Sequence, residues 1–364
     1  FVGGGEVTKL DRSRKAPFPW FGGKSTVADE VWRRLGSPKQ YIEPFCGSAA
    51  MLLAAPAPAS LEVIGDANCY VANFWRALKC QPDAVTVWQD YPVSHIDLYA
   101  RHRWLTEPAR VAELRAKLID AEWPGDAQIA GWWLWGQCCW IGSGWCDPDR
   151  GQRGDGGAGD DGCGQIPHAG NAGMGVQAAT LGKIPHAGNA GRGVQATTLG
   201  KIPHASDAGS GLGQIPFVSS QGMGAQGMGA QGMVGEWMRA LASRLERVRI
   251  VHGDWSRCLN HHYGGDDTAV FLDPPYLAFE KLYSDAVKEP CAAQVAAWAR
   301  EHGNLRVVLC GHRGDYDMPG WSVLDWSRGR LTYGSDKTTD AECIWFSPAC
   351  HAAGQRDLFA AVAP

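Results

Sequence analysis

The sequence predicts an α/β fold built on one parallel sheet, interrupted by an insertion of roughly 140 residues. Three observations predict it. Two strand–helix units follow one another near the start of the chain. Strand-like apolar runs resume after residue 234. The stretch between has a composition of its own.

Tyr41-Ile42-Glu43-Pro44-Phe45 reads as a strand running into the turn Cys46-Gly47-Ser48, with a helix starting at Ala49-Ala50-Met51-Leu52-Leu53. Leu61-Glu62-Val63-Ile64-Gly65-Asp66 is a second strand that ends in an acid and opens a helix through Asn73, Phe74 and Leu78. This alternation marks a βαβ unit and hence parallel strands. The pattern stops near Tyr91-Pro92. It returns with Trp237, Leu241, Leu245 and Val248 along one helical face, then strands at 248–252, 268–272, 305–310 and 342–346.

The insertion has two parts. Residues 93–150 hold helical stretches (Val111 to Ile119), then Trp132, Trp133, Trp135, Trp140 and Trp145. Residues 151–234 contain 23 of the 47 glycines, eight charged residues and one aromatic, Phe217. Ile166-Pro167-His168-Ala169 recurs at Ile184 and Ile202 with an 18-residue period, and Gln221-Gly222-Met223-Gly224-Ala225 begins a five-residue period. So little apolar volume does not repay the entropy of ordering glycine, which fits a flexible expanded loop; a stacked repeat lobe is the alternative. The repeated histidines have no acid or cysteine at ligand spacing, so no metal is expected.

Thirty-four basic against 38 acidic residues give a formal charge of −4, so the whole molecule does not attract nucleic acid and any such contact needs a local basic face. Candidates are Arg101, Arg103, Arg110, Arg115 and Lys117, and Arg239, Arg244, Arg247, Arg249 and Arg257. Solvated helix faces are the competing explanation. Twelve cysteines without an even framework fit a reducing compartment, and no apolar run reaches membrane-spanning length. The tryptophans of 132–145 could stack on bases, but packing is the better reading for most.

Glu43, Phe45 and Gly47 at the first strand's end, with Asp66 at the tip of the second, follow the logic of an adenosine site. Small residues admit the ligand to the backbone, and the acid binds ribose hydroxyls. One glycine in the turn also suits a degraded dinucleotide fold. Trp20-Phe21-Gly22-Gly23-Lys24 lacks P-loop spacing and reads by itself as a turn into a helix, capped by Ser25 or Thr26. Asp273-Pro274-Pro275-Tyr276 selects among these options. An exocyclic amine on an aromatic ring is a poor nucleophile because its lone pair is delocalised. A carboxylate and a prolyl-turn carbonyl that accept its two hydrogens can hold the nitrogen near tetrahedral, and an aromatic ring can stack on an extruded base.

Pro17-Phe18-Pro19-Trp20-Phe21-Gly22-Gly23-Lys24, Tyr41 to Ser48, Gly65-Asp66-Ala67-Asn68 and Asp273 to Tyr276, in that order, resemble the DNA adenine methylase (Dam-like) family of amino-methyltransferases. The resemblance implies a Rossmann-like class I methyltransferase sheet with a large inserted target-recognition region, here containing Gly-rich repeats. It implies S-adenosylmethionine as methyl donor, held by Trp20, Lys24, Asp66 and Asp273, with Asp254 as a further cofactor-side acid. Asp273, Pro274, Pro275 and Tyr276 would hold the target adenine of double-stranded DNA. A monomer working in the cytoplasm of a bacterial or phage-infected cell, without metal or membrane, is expected.

On this reading 1–14 is a disordered extension, 15–92 and 235–364 form the catalytic domain, 93–150 a Trp-rich target-recognition lobe and 151–234 a repeat insertion. The family's second cofactor-turn glycine is missing, since the turn runs Phe45-Cys46-Gly47-Ser48-Ala49. Its usual Arg-Phe-Asn-Gly stretch is also absent. Leu134-Trp135-Gly136-Gln137 and Ile141-Gly142-Ser143-Gly144 stand roughly in its place, and the recognised sequence cannot be carried over. An RNA or protein-amide methyltransferase, or a nucleic-acid-binding protein on an inactive methylase core, are the alternatives.

Overall fold

The computed structural model describes residues 15–20, 22–140, 145–146, 225–259, 267–275, 291–326 and 342–351, for 225–233 the backbone only. Residues 1–14, most of the repeat insertion, Phe21, Tyr276 and 141–144 lie outside the described residues. The strands are β1 (Gln40–Glu43), β2 (Leu61–Asp66), β3 (Val248–His252), β4 (Thr268–Leu272), β5 (Arg306–His312), β6 (Ser322–Trp326) and β7 (Glu342–Phe346). They form one seven-stranded sheet in the order β3-β2-β1-β4-β5-β7-β6. The first five pair in parallel; β7 runs antiparallel to both β5 and β6. The predicted Rossmann-like sheet is present.

The central strands are apolar throughout because both faces are covered. All five residues of β4 are buried, with Ala269 and Phe271 facing one core and Val270 and Leu272 the other. The first core also takes Tyr41, Ile64 and Val308, packed with α1 (Ala28–Leu35), α2 (Ala50–Ala54) and α3 (Cys69–Cys80). The helices α4 (Pro82–Gln89), α5 (His95–Leu105), α6 (Pro108–Lys117), α7 (Ala127–Cys139) and α8 (Ala225–Leu245) follow in the chain. On the other face α9 (Cys291–Glu301) sets Ala292, Val295, Ala296 and Ala299 against Ile42, Val63 and Val307.

Strand β6 was not predicted. It is the sheet's edge, and its residues Ser322, Val323 and Asp325 are exposed, so no apolar run announces it. Helix α8 begins at Ala225, inside the five-residue repeat, earlier than the composition suggests. Its buried Trp237, Met238, Leu241 and Leu245 anchor the last turns. Extending an anchored helix costs far less than nucleating one, so even glycine-rich units can follow.

The Trp-rich segment joins the main core. Helix α7 packs against α3 and α4, with Asp126 capping it through Ile129 N–H and Asn68 capping α3. Apart from Gln128 and Gln137 it is apolar on every face, as a buried helix should be. Gly131 and Gly136 are where partners come closest: an added Cβ would sit 2.4 Å from Trp88 Cβ and 1.8 Å from the Trp145 ring. Trp133 meets Phe18 edge-on with ring centroids 5.0 Å apart. Trp133, Trp135 and Trp145 are buried, as packing requires.

Candidate active site

In the strand order, β1 and β4 are neighbours; β2 and β3 lie to one side and β5 to the other. Ligands of open α/β sheets bind in the crevice beyond the strand ends at such a reversal. The turn after β1 carries Gly47, and the residue after β4 is Asp273.

Gly47 is fixed from three sides. Its N–H donates to Asp66 Oδ2 at 2.9 Å, and its carbonyl accepts from Trp75 Nε1 at 2.8 Å. The Trp20 ring closes the third side: with φ at 45°, a Cβ here would fall 2.2 Å from Trp20 Nε1. Only glycine fits such a backbone beneath an aromatic ring. Asp66 Oδ1 accepts Asn68 N–H at 2.8 Å, which ties the acid to the cap of α3. Burial raises the Asp66 carboxyl to about 6, against these two backbone donors. Trp20, Gly47 and Asp66 therefore meet.

Where the family carries its second glycine, Ala49 adopts the left-handed conformation, with φ 50° and ψ 31°. The backbone path is the glycine path, taken by an alanine at a steric cost.

Lys24 joins its own segment, which carries Trp20, to Asp273. Its ammonium lies 3.0 and 2.9 Å from the two Asp273 oxygens and 3.0 Å from the Gly22 carbonyl. The lysine is 2% exposed. Burial lowers its pKa, but the charges of Asp273 and Glu342 and the Asp273 hydrogen bond outweigh that and leave it raised. Pro274 is buried and Pro275 exposed, so the turn presents one ring outward. Tyr276 lies outside the described residues.

Glu43 lies beneath this floor and not on it. Its Oε2 accepts from Tyr41 Oη and Leu52 N–H, both at 3.0 Å, and it is 2% exposed. Burial raises it to about 8. Phe45 packs on the α9 side of the sheet. Asp254 is exposed and caps a short 3-10 turn (Trp255–Cys258) through Ser256 N–H at 3.0 Å. Its neighbour Gly253 donates to the Asp66 carbonyl at 3.1 Å, which brings that turn up to β2.

Several basic residues have structural work. Arg101 is buried, with its guanidinium 3.7 Å from the Tyr91 ring centroid and 4.4 Å from that of Trp135. Arg244 forks onto Glu62 at 2.6 and 2.7 Å. Lys117 pairs with Glu113 and Arg239 with Asp83, and like these two, Arg103, Arg247 and Arg249 are exposed. Glu342 and Trp326 also reach the Lys24 ammonium, at 3.8 Å and 5.5 Å to the ring centroid. Sequence reading missed both, since β6 carries no pattern and β7 reads only as an apolar run.

Among the described residues no cluster of histidine, cysteine, aspartate or glutamate could hold a metal ion, and no helix is long and apolar enough to cross a membrane. Residues 20–103 match the family model for D12 class N6 adenine-specific DNA methyltransferase. That span includes Trp20, Lys24, Gly47 and Asp66 and ends before Asp273. No curated protein matches the chain. Over residues 20–103, then, the chain is similar to the D12 class N6 adenine-specific DNA methyltransferases, the kind of family its motifs resemble.

Proposed function

We propose that this protein transfers a methyl group from S-adenosylmethionine to the exocyclic N6 amine of adenine in double-stranded DNA. One observation carries the reading: the Lys24–Asp273 contact joins the cofactor-side motif to the amine-holding turn at the β1/β4 reversal.

The donor set suits the cofactor. An ionised carboxylate offers about four lone-pair sites, and Asp66 spends two on backbone N–H groups, leaving acceptors for two ribose hydroxyls. Trp20 over Gly47 supplies an aromatic wall beside that acid. Lys24, Phe45, Gly47 and Asp254 complete the assignment, and Glu43 acts from below by fixing the start of α2 through Leu52 N–H. Bound S-adenosylmethionine supplies a methyl group already activated by its sulfonium.

The chain's own task is positioning, for which about 7–11 kcal/mol of barrier is available. An Asp273 oxygen and the Pro274 carbonyl accept the two amine hydrogens, Pro275 stiffens the turn, and Tyr276 stacks on the extruded adenine. The nitrogen lone pair then faces the methyl carbon. On gaining that methyl the nitrogen would shed one proton, which the Asp273 carboxylate, already accepting one of its hydrogens, is placed to take. Target choice is assigned to the segment between α4 and α8.

Asp273→Asn tests this. The amide keeps one acceptor oxygen for Lys24, so the fold should survive, while methyl transfer from labelled cofactor to DNA should fall about a hundredfold or more. Full activity in that variant sinks the mechanism. Label entering RNA or protein in preference to DNA under direct competition sinks the substrate.

A further inference from the structure

Glu342 opens β7 at the same sheet edge as Asp273, in register with His312 of β5 and Trp326 of β6. Its Oε2 is buried, accepts no hydrogen bond among the described residues, and lies 3.8 Å from Lys24 Nζ. A buried carboxylate oxygen without a donor is costly, and a fold tolerates it most readily where a donor arrives in another state. The Lys24 ammonium is the near donor. In the present arrangement it faces both Asp273 oxygens and the Gly22 carbonyl.

That arrangement conflicts with the use of Asp273. An amine hydrogen needs an Asp273 oxygen with a lone pair turned towards it, and an ammonium set against both oxygens competes for them. Lys24 cannot simply withdraw, because it is 2% exposed and a buried ammonium needs an anion beside it. We propose that Glu342 is a positioning residue that takes over the Lys24 ammonium when Asp273 receives the target amine. The inference rests on the function proposed above.

A shift of about 1 Å along the lysine's flexible stem brings Nζ within charge-assisted hydrogen-bond range of Glu342. The cation stays paired throughout, and the Asp273 carboxylate exchanges the ammonium for the amine hydrogen. Trp326 flanks the path, with its ring centroid 5.5 Å from Nζ.

The test is single-turnover methyl transfer on DNA with labelled cofactor, alongside calorimetric binding of S-adenosylmethionine. Glu342→Gln is isosteric and should fold, which thermal melting checks. It should slow transfer about tenfold or more while leaving cofactor affinity within about twofold. Glu342→Ala, which offers no acceptor, should lose at least as much. In a Lys24→Gln background, Glu342→Gln should cost nothing further, because its effect runs through the ammonium. Unchanged turnover, an equal loss in both backgrounds, or a loss matched by weaker cofactor binding would each overturn the proposal. If the unaltered protein itself transfers no methyl to DNA adenine, it is the underlying function that fails; failure confined to the variants is failure of the Glu342 role alone.

Discussion

Lys24 and Asp273 stand 249 positions apart in the chain, yet the lysine's ammonium lies 3.0 and 2.9 Å from the two carboxylate oxygens. The contact pins the segment before α1 to the end of β4. With Lys24 at 2% and Asp273 at 18% exposure, removing either charge strands the other in a largely dry site. Lys24→Met should cost about 2–4 kcal/mol of unfolding free energy in urea titrations. Adding Asp273→Asn to it should cost less than the sum of the single changes, because residues in contact are not independent. Strict additivity would mean that the two side chains do not pair in solution.

Glu43 makes stability depend on pH. Its carboxyl is raised from 4.5 to about 8 by burial, so the folded state holds the proton more tightly than the unfolded chain does. The stabilisation is complete below 4.5 and is lost as pH rises through 8. Asp66, raised to about 6, acts in the same direction but only up to that value. His252 acts oppositely: burial lowers it from 6.5 to about 4, so its contribution fades as pH falls below 6.5. Between pH 6.5 and 8, Glu43 dominates these three. Urea midpoints should fall across that window by the equivalent of up to about 2 kcal/mol, and Glu43→Gln should flatten the fall. An equal slope in the variant would assign the effect elsewhere.

The first two strands and the site's near half were legible because their chemistry is local: Gly47, Asp66 and the capping Asn68 fall within one βαβ unit. Asp273 was legible for the same reason, as a motif at the end of an apolar run. Its contact with Lys24 depends on sheet order, which short-range patterns do not encode. Glu342 stayed hidden because one acid at the start of a strand has no signature. Arg101, a candidate nucleic-acid contact in the sequence, sits among Tyr91, Trp132 and Trp135; charge in a sequence does not say whether aromatic rings will cover it. Helix α7 has no polar face, so helical periodicity could not mark it.

Ala49 offers a test of the altered cofactor turn. Its left-handed backbone costs about 1–2 kcal/mol, which glycine would recover. Against that, glycine loosens the unfolded chain by about 0.4–1 kcal/mol and gives up a buried methyl worth about 0.8 kcal/mol. Ala49→Gly should therefore be neutral within about 0.8 kcal/mol. Ala72→Gly, buried within α3, has no strain to recover and should cost about 1.5–2 kcal/mol. Equal losses at the two sites would show that Ala49 carries no strain.

Gly136 sets two effects against each other within α7. Alanine in a helix interior is ordinarily favoured over glycine by about 1 kcal/mol. Here the new methyl would lie 1.8 Å from the Trp145 ring, which is buried and held by a 2.9 Å hydrogen bond from its Nε1 to the Trp133 carbonyl. A rigid ring cannot yield as a flexible side chain would, so overpacking at about 1–3 kcal/mol should win. Gly136→Ala should lower the urea midpoint and change tryptophan fluorescence. Pairing it with Trp145→Leu should recover part of the loss, because a smaller, jointed side chain vacates the contested volume. A stabilised single variant would mean that Trp145 does not pack on this face of the helix.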